Sequence, residues 1–358
     1  MSHDLDFSPI LQPFVERGEV AGAVVCVADK ERVLALQSVG FCDVSERVPM
    51  RSDALFWVAS QTKPITATAL MMLVDEGKVV VEDAVEKYLP EFKGQRVIAE
   101  SDDEHTLLRR PVHPVTVGNV LSHTAGFPFL TPLEQPYIDT LTLRDAALLY
   151  SLLPLQFEPD TAYQYSNVGI NIAGRIIEVV SGQSYESFLQ ERLFAPLGMA
   201  DTTFWPDEEQ AQRLAKSYKP GADNMGLQET PVECLSYPLS NRGRRATPGG
   251  GLFSTASDCA RFCQMILRGG EWNGERFVSP QSVEAMTRRH TREGLESYGW
   301  GWGVGDGSFG HGGAYSTQMV VAPQRGLVTV FLVQHAGFPG DGGQSHDAFQ
   351  RAVREQVG

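Results

Sequence analysis

The chain places a serine three residues ahead of a lysine once, at Ser60-Gln61-Thr62-Lys63. With 24 serines and seven lysines among 358 residues, chance supplies roughly half such a match, so the pair means little by itself. Its setting says more. It follows the apolar run Leu55-Phe56-Trp57-Val58-Ala59 and opens a helical pattern that ends at Gly77, with Ile65, Leu70, Met71, Leu73 and Val74 as an apolar face. Residues three apart on a helix share a face. A neutral lysine amine there can take the serine proton, provided its surroundings depress its pKa. At a helix start, Ser60 also has a backbone N–H with no intrahelical acceptor, which suits it to hold an oxyanion. The competing reading makes Ser60 a plain N-cap and Lys63 a solvated charge. A cation in a first helical turn opposes the helix dipole, so its placement needs a reason.

A second feature is Tyr165-Ser166-Asn167, the single Tyr-x-Asn of the chain, where chance predicts roughly 0.2. A tyrosine near a lysine can relay a proton, and an asparagine amide can hold a substrate carbonyl. The alternative is a buried tyrosine beside an ordinary helix cap. The third feature is a cation-type residue followed by x-Gly at the start of a strand. His311-Gly312-Gly313, His335-Ala336-Gly337 and Lys219-Pro220-Gly221 all qualify. Of these, His311 directly precedes a β-rich run that has another strand and a helix after it. His335 ends the last strand, and Pro220 beside Lys219 cannot donate to a ladder. Gly312 and Gly313 have no side chains, so a substrate could lie along that strand edge. Two other patterns carry nothing. Gly305-Asp306-Gly307-Ser308-Phe309-Gly310 matches Gly-x-Gly-x-x-Gly, yet no helix follows, so a dinucleotide site is excluded. A Gly-x-Ser-x-Gly nucleophile elbow is absent.

These residues need elements to hold them. Residues 8–18 read as a short helix, capped by Ser8, with Pro9 in its first turn and Gly18 at its end. Val20–Ala28 and Arg32–Val39 read as strands joined by a turn at Asp29-Lys30-Glu31. Helical islands at Leu143–Leu153, Val168–Ser181 and Tyr185–Leu193 punctuate a loop-rich middle, and residues 257–268 form another amphipathic helix. Tyr298–Val304, Tyr315–Ala322 and Leu327–Gln334 read as strands, the last two divided by the turn Pro323-Gln324-Arg325-Gly326. A final helix covers about Gly343–Gln356. Strands thus lie at both ends and helices between. The expected fold is α+β: an antiparallel sheet flanked by helices, with a mostly helical region inserted. The expected division is residues 1–85 plus 246–358 for the sheet domain and 86–245 for the insert, with the site in the cleft between. Ser101-Asp102-Asp103-Glu104, inside the unassigned stretch 91–113, is expected to be a solvated loop.

Composition removes other classes. Lys plus Arg total 30 against 44 Asp plus Glu, a net charge of −14, which opposes nucleic-acid binding. At 42% hydrophobic and 21% charged residues the chain reads as globular. An apolar run long enough for a membrane span is missing. Met1-Ser2-His3-Asp4-Leu5-Asp6 shows no signal-peptide pattern, so a cytoplasmic location is expected. Five cysteines, an odd number, make a disulfide framework improbable, and Cys259 and Cys263 read as small buried apolar side chains. With no metal-ligand cluster such as HExxH, neither a metal nor another cofactor is expected.

Taken in order, Ser-x-x-Lys, Tyr-x-Asn and His-x-Gly resemble the penicillin-recognising serine hydrolases, within them the group of class C β-lactamases, DD-peptidases and family VIII carboxylesterases. Trp57–Lys63 looks like that family's nucleophile segment, and Val120-Leu121-Ser122-His123-Thr124-Ala125-Gly126-Phe127 like its characteristic loop. Residues 174–182, Pro196-Leu197-Gly198-Met199 and residues 250–258 are similar too, so the resemblance runs from about residue 8 to 335. It implies a β-lactamase/transpeptidase-like fold in which Ser60 is acylated, and Lys63 with Tyr165 moves the proton. It also implies an oxyanion hole from the backbone N–H groups of Ser60 and Ala314, and substrate binding by Asn167, His311, Gly312 and Gly313. His311 stands where β-lactamases usually carry lysine, as in some DD-peptidases and esterases. The expected activity is therefore that of a carboxylesterase on small uncharged esters. The alternatives are a DD-peptidase or D-amino-acid amidase, or a weak β-lactamase; more distant is a non-catalytic binding protein on this fold. The expected partner is a small ester or amide substrate, with no nucleic acid and no membrane span. An unperturbed histidine at 311 would gain charge on mild acidification, so carboxylate ligands are expected to bind more tightly as pH falls from about 7.5 to about 5.5.

Overall fold

The computed structural model describes residues 5–357; Met1–Asp4, which carry much of the N-terminal targeting argument, lie outside them. Helix α1 (Ser8–Glu16) leads into strands β1 (Gly22–Asp29) and β2 (Val33–Asp43). Ser8 is the first helical residue and not its cap; its N–H donates to Asp6 Oδ1 at 2.9 Å. The turn after β1 forms as its residues require. Asp29 Oδ1 accepts the N–H groups of Glu31 at 2.7 Å and Arg32 at 2.8 Å, an aspartate turn.

A short strand β3 (Val48–Pro49) and four strands near the C-terminus complete the sheet: β4 (Gly303–Gly305), β5 (Ser308–Gly312), β6 (Gln318–Ala322) and β7 (Leu327–Leu332). The seven strands run β4-β5-β6-β7-β1-β2-β3, all neighbours antiparallel. β1 and β7 sit centrally, with Val24 opposite Leu332 and Val27 opposite Thr329. Their near-continuous apolar composition follows from burial on both faces. Val24, Cys26 and Ala28 join the large core that contains helices α2 (Thr62–Asp75) and α6 (Ala256–Leu267). Ala23, Val25 and Val27 face the other way, onto Phe7 just before α1, Leu11 of α1, and Phe349 and Val353 of α7 (Ser345–Gln356).

The intervening chain supplies α3 (Val117–Ser122), α4 (Leu143–Ser151) and α5 (Asn167–Ser181). It also supplies two hairpins, Val97–Ser101 with Thr106–Arg109 and Ser217–Pro220 with Leu227–Thr230, so it is less purely helical than expected. The acidic run 101–104 caps the first hairpin and is exposed, as a solvated loop.

Four expectations need correction. The C-terminal part contributes four strands to the sheet, not three, because Asp306-Gly307 is a two-residue hairpin turn between β4 and β5. His311 therefore lies inside β5, opposite Met319, and does not precede the strand. Most of Tyr298–Val304 is loop, since Gly301 has φ +76° and bends the chain onto α2. A Cβ there would sit 2.9 Å from the Lys63 carbonyl oxygen. Finally, α2 has no solvent face in its first three turns: every residue from Thr62 to Leu73 is buried. Its threonines satisfy themselves locally, Thr66 Oγ1 donating to the Thr62 carbonyl at 3.0 Å and Thr68 Oγ1 to Pro64 at 2.8 Å.

Phe349 shows what fastens the outer helices. Its ring meets Phe7 edge-on at 5.3 Å and Phe331 of β7 at 6.0 Å, and it is fully buried. Phe349→Ala is expected to destabilise the protein by about 3–5 kcal/mol, because the transfer loss and the cavity add. Urea unfolding measures this, and kcat of the folded protein should be unaffected.

Candidate active site

Ser60 lies in a single 3-10 turn, Ala59–Gln61, that runs directly into α2. Ala59 takes the left-handed φ of +48°, a conformation costing about 1–3 kcal/mol outside glycine. Neighbouring bonds hold it there. Thr62 Oγ1 donates to the Ala59 carbonyl at 2.6 Å, and Val58 N–H to the Leu252 carbonyl at 3.0 Å. The end of β5 is laid against the same segment. A Cβ on Gly313 would lie 2.5 Å from the Val58 carbonyl oxygen, so only glycine permits this approach. Among the described residues neither the Ser60 nor the Ala314 N–H has a protein acceptor. β4 pairs with β5 only as far as Gly303 opposite Gly310, which leaves the His311–Gly313 edge without a neighbouring strand on that side.

Lys63 is fully buried. Its Nζ lies 3.0 Å from Ser60 Oγ, 2.7 Å from Asn167 Oδ1 and 2.5 Å from the Gly249 carbonyl oxygen. Burial pushes its pKa well below the ordinary lysine value. The neutral amine can give its two N–H groups to Asn167 and Gly249, both pure acceptors toward it, and its lone pair then faces Ser60 Oγ. A neutral amine also removes the conflict with the helix dipole.

Tyr165 precedes α5, and its ring centroid is 4.6 Å from Lys63 Nζ. That contact favours the ammonium once it forms. The Tyr165 hydroxyl is 3.4 Å from His311 Nε2. Burial raises its pKa, partly offset by Ser60, so the phenol stays protonated. Asn167 opens α5, with the Ser166 hydroxyl capping that helix by accepting the Gly169 N–H at 3.0 Å. Its Oδ1 is engaged by Lys63, a contact the sequence reading did not include.

His311 Nδ1 lies 2.6 Å from the Gly312 carbonyl oxygen, which makes it the protonated nitrogen and leaves Nε2 to accept from the Tyr298 hydroxyl at 2.9 Å. Burial, then the nearby Lys63, lowers its pKa to about 3. The expected titration between about pH 7.5 and 5.5 is therefore corrected: His311 holds no charge in that window.

Sequence reasoning missed several side chains. His123 ends α3 in the left-handed conformation at φ +61°, and its Nδ1 accepts the Ser166 N–H at 3.2 Å. It packs 4.5 Å from the Tyr165 ring and 4.7 Å from that of Tyr298. The loop around His123 stood out, but its role as a prop for Tyr165 did not. Tyr298 had only its place in an aromatic–glycine alternation to mark it, and Gly249 acts through a carbonyl, which no residue type announces. The two rejected alternatives lie elsewhere: Lys219 pairs with Glu233 at the surface, and buried His335 Nε2 accepts the Ala21 N–H.

Beside His311 a cleft of about 480 Å³ runs between Tyr163, Tyr165, Tyr298 and the β5–β6 face. Glu296 is the one charged residue along it; neither lysine nor arginine lines it. Among the described residues no group of three His, Cys, Asp or Glu is placed to hold a metal ion.

The sequence matches the model of the family described as Beta-lactamase over residues 7–352. The chain belongs to the Beta-lactamase family. It is a β-lactamase-related serine hydrolase of a family whose members include esterases and penicillin-binding proteins. Penicillin-binding protein 4 of Amycolatopsis lactamdurans is 31% identical, covering 87% of this chain and 78% of the relative. Lovastatin esterase of Penicillium rubens is 28% identical over 78% of this chain and 71% of its own. Among solved structures, EstCE1, a hydrolase with promiscuous acyltransferase activity, superposes with a TM-score of 0.82, covering 97% of both chains at 22% identity. That likeness places this Beta-lactamase family member in the same α+β fold. Among the described residues no helix is long and apolar enough to cross a membrane.

The neutrality of His311 has a measurable sign. A histidine whose folded pKa is depressed contributes stability that is complete above the unfolded value of about 6.5 and is lost as pH falls toward about 3. Within that range the imidazole of the folded protein stays neutral. In the Ser60→Ala protein, the affinity for a penicillin carboxylate should be flat from about pH 7.5 to about pH 5.5, as read by calorimetry. A marked tightening on acidification would show that His311 does become charged.

Proposed function

We propose that the protein is a carboxylesterase that works through an acyl-enzyme on Ser60 and prefers small esters without a carboxylate beside the scissile bond. The observation that carries this reading is the cleft beside Tyr165 and His311, whose lining holds no cation. Its polar side chains are phenols, Ser297, Ser308, Gln318 and a neutral imidazole, and its one charge is the acidic Glu296. A carboxylate entering there meets no cation and one like charge. The 28% identity to a lovastatin esterase and 27% identity to esterase EstB of Burkholderia gladioli support ester hydrolysis as the reaction. The resemblance to penicillin-binding protein 4 keeps the peptidase reading as the second choice. That reading would require a partner for the substrate carboxylate, which the cleft lining does not contain.

In the proposed reaction Lys63 Nζ, 3.0 Å from Ser60 Oγ, takes the serine proton as Oγ bonds to the ester carbonyl carbon. The carbonyl oxygen becomes an oxyanion facing the free N–H groups of Ser60 and Ala314. The C–O bond to the alcohol then breaks. The leaving oxygen takes a proton from the protonated Tyr165 hydroxyl, which Lys63 restores. Water attacks the acyl-enzyme by the reverse relay and frees the acid. Gly312, Gly313 and the open edge of β5 would seat the acyl chain, with Asn167 orienting Lys63 and the substrate acyl side.

Ser60→Ala should abolish acylation, and intact-mass spectrometry after a fluorophosphonate should show one adduct, on Ser60. An adduct on a different serine, with Ser60→Ala still active, would refute the assignment. Lys63→Ala and Tyr165→Phe should each lower kcat by ~10²–10⁴-fold, with a double variant that loses less than the product of the two.

Substrate preference is tested with p-nitrophenyl butyrate against its half-ester of succinic acid. The neutral ester should have the higher kcat/KM, and Glu296→Gln should narrow the gap. Equal kcat/KM values for the two would remove the electrostatic basis of the esterase reading.

A further inference from the structure

A buried chain of hydrogen bonds leads away from Lys63 through residues with no place in the reaction. The Gly249 carbonyl accepts from Lys63 Nζ at 2.5 Å, and the Gly249 N–H donates to Asn171 Oδ1 at 3.0 Å. Asn171 Nδ2 donates to the Tyr150 hydroxyl at 2.9 Å. Tyr150 donates to Glu134 Oε1 at 2.5 Å, where Arg245 Nη2 also donates at 2.6 Å. Tyr150 and Asn171 have no exposed surface, Glu134 is 1% exposed, and the Arg245 side chain 2%. A buried ion pair is a poor source of stability, because desolvation offsets most of the attraction. Buried polar networks fix an arrangement through the bonds that they do make; here each of the links from Lys63 to Arg245 Nη2 is formed, while Arg245 Nη1 has no partner among the described residues.

What this network specifies is the segment holding Gly249. Arg244 and Arg245 are adjacent, and each pairs with a buried carboxylate of one loop, Arg244 with Asp139 at 2.8 Å and Arg245 with Glu134. Arg245 N–H also donates to the Asp139 carbonyl at 2.7 Å. Downstream, the Pro248 carbonyl accepts from Thr66 Oγ1 of α2 at 2.9 Å. Gly249 itself has no room for a side chain: a Cβ there would lie 2.9 Å from Asn167 Oδ1. The segment is thereby clamped from the α4 and α5 side, and its carbonyl is aimed at the lysine.

We infer that Tyr150 and Asn171, anchored on the Glu134–Arg245 ion pair, are positioning residues for Lys63 and act through the Gly249 carbonyl. The inference rests on the Ser60–Lys63 reading above. A fixed Gly249 oxygen does two things. It takes one N–H of the neutral amine, so that the lone pair points to Ser60. It also stabilises the ammonium formed when Lys63 accepts the proton, which counters the effect of burial. The other groups close to Lys63 are Ser60, Tyr165, His123 and His311; of these the two histidines are neutral at working pH, their pKa values lowered by burial and by Lys63 itself.

The test is Tyr150→Phe, which removes one hydroxyl and cuts the chain in its middle. Acylation is followed by the burst of p-nitrophenyl butyrate, with rates per active site titrated by fluorophosphonate. Since misplacing a catalytic group by ~1 Å costs ~10²-fold, an expected loss of about tenfold in kcat at near-constant KM is a modest displacement. The acid limb of the pH–rate profile should move to lower pH, because a less stabilised ammonium makes Lys63 the weaker base. Tyr218→Phe is the control. It deletes another buried phenol, whose oxygen accepts the Val44 N–H at 2.8 Å, remote from the chain, and should leave kcat and the acid limb unchanged. If Tyr150→Phe does not fold, Asn171→Ser breaks the chain one link nearer Lys63 and is judged by the same two readouts. A folded Tyr150→Phe or Asn171→Ser protein with wild-type kcat and an unshifted acid limb overturns the inference, even if its Tm falls. Failure of the wild type to label on Ser60 would instead overturn the Ser60–Lys63 reading, and the inference with it.

Discussion

An amine with no contact to solvent is the constraint on which the rest of this structure turns. Lys63 sits on a helix enclosed for three turns, and moving an ammonium into such a place is costly. Burial favours the neutral amine, and the protein gives the group acceptors at fixed positions. Three separate parts of the chain converge to do so: the turn before α2, the start of α5 and the loop at Gly249. None of these contacts survives a shift of one element against another. The packing of α2 against α5 and of the Pro248–Gly249 loop against both is thus a requirement of the chemistry as much as of stability. The polar threonines along α2 fit the same logic, each bonded within the helix or to a neighbour, so that the enclosure holds no unpaired hydroxyl.

Charge is kept away from the other side of the site as well. The imidazole and the phenols form a set in which no member is ionised near neutral pH, burial pulls the Lys63 amine toward its neutral form, and aromatic rings pack closely around them. In the proposed reaction, electrostatic work falls to backbone N–H groups, which are fixed dipoles and need no reorganisation when an anion develops. The left-handed Ala59 and the side-chain-free Gly313 both serve that arrangement. The first turns the chain into α2 just before Ser60, and the second lets β5 come within contact of Val58.

Much of this was legible in the sequence wherever the signal is local. The Asp29 turn, the strands at both ends, and the helices beginning near Leu143, Asn167 and Ala256 follow from periodicity, caps and turn residues. Ser60 and Lys63 meet because three residues make nearly one helical turn. The losses occur where a distant contact decides. Gly301 bends away from the strand its neighbours favour because α2 lies beneath it. The Asp306-Gly307 turn was hidden by the glycine-rich pattern around it, and with it went the position of His311 inside a strand. The depressed pKa of His311 could not be read at all, since it comes from burial by Tyr165 and Tyr298, which are 146 and 13 residues away. Gly249 is the plainest case: its function resides in a carbonyl oxygen that every residue has.

The arrangement of the sheet has a bearing on how copies of this protein behave toward one another. Its long, sticky strands, β1 and β7, are in the middle and covered by helices on both faces. Its rims are β3, of two residues, and β4, of three. An unpaired strand edge is a template for intermolecular pairing, and its hazard grows with length and flatness. β3 pairs only with Phe41 and Asp43, so Val33–Val39 of β2 has no strand on that side, and a net charge of −14 adds long-range repulsion between copies. The ordering of strands keeps the two central apolar strands, β1 and β7, off the rim, while the open stretch of β5 remains available to something the size of a substrate.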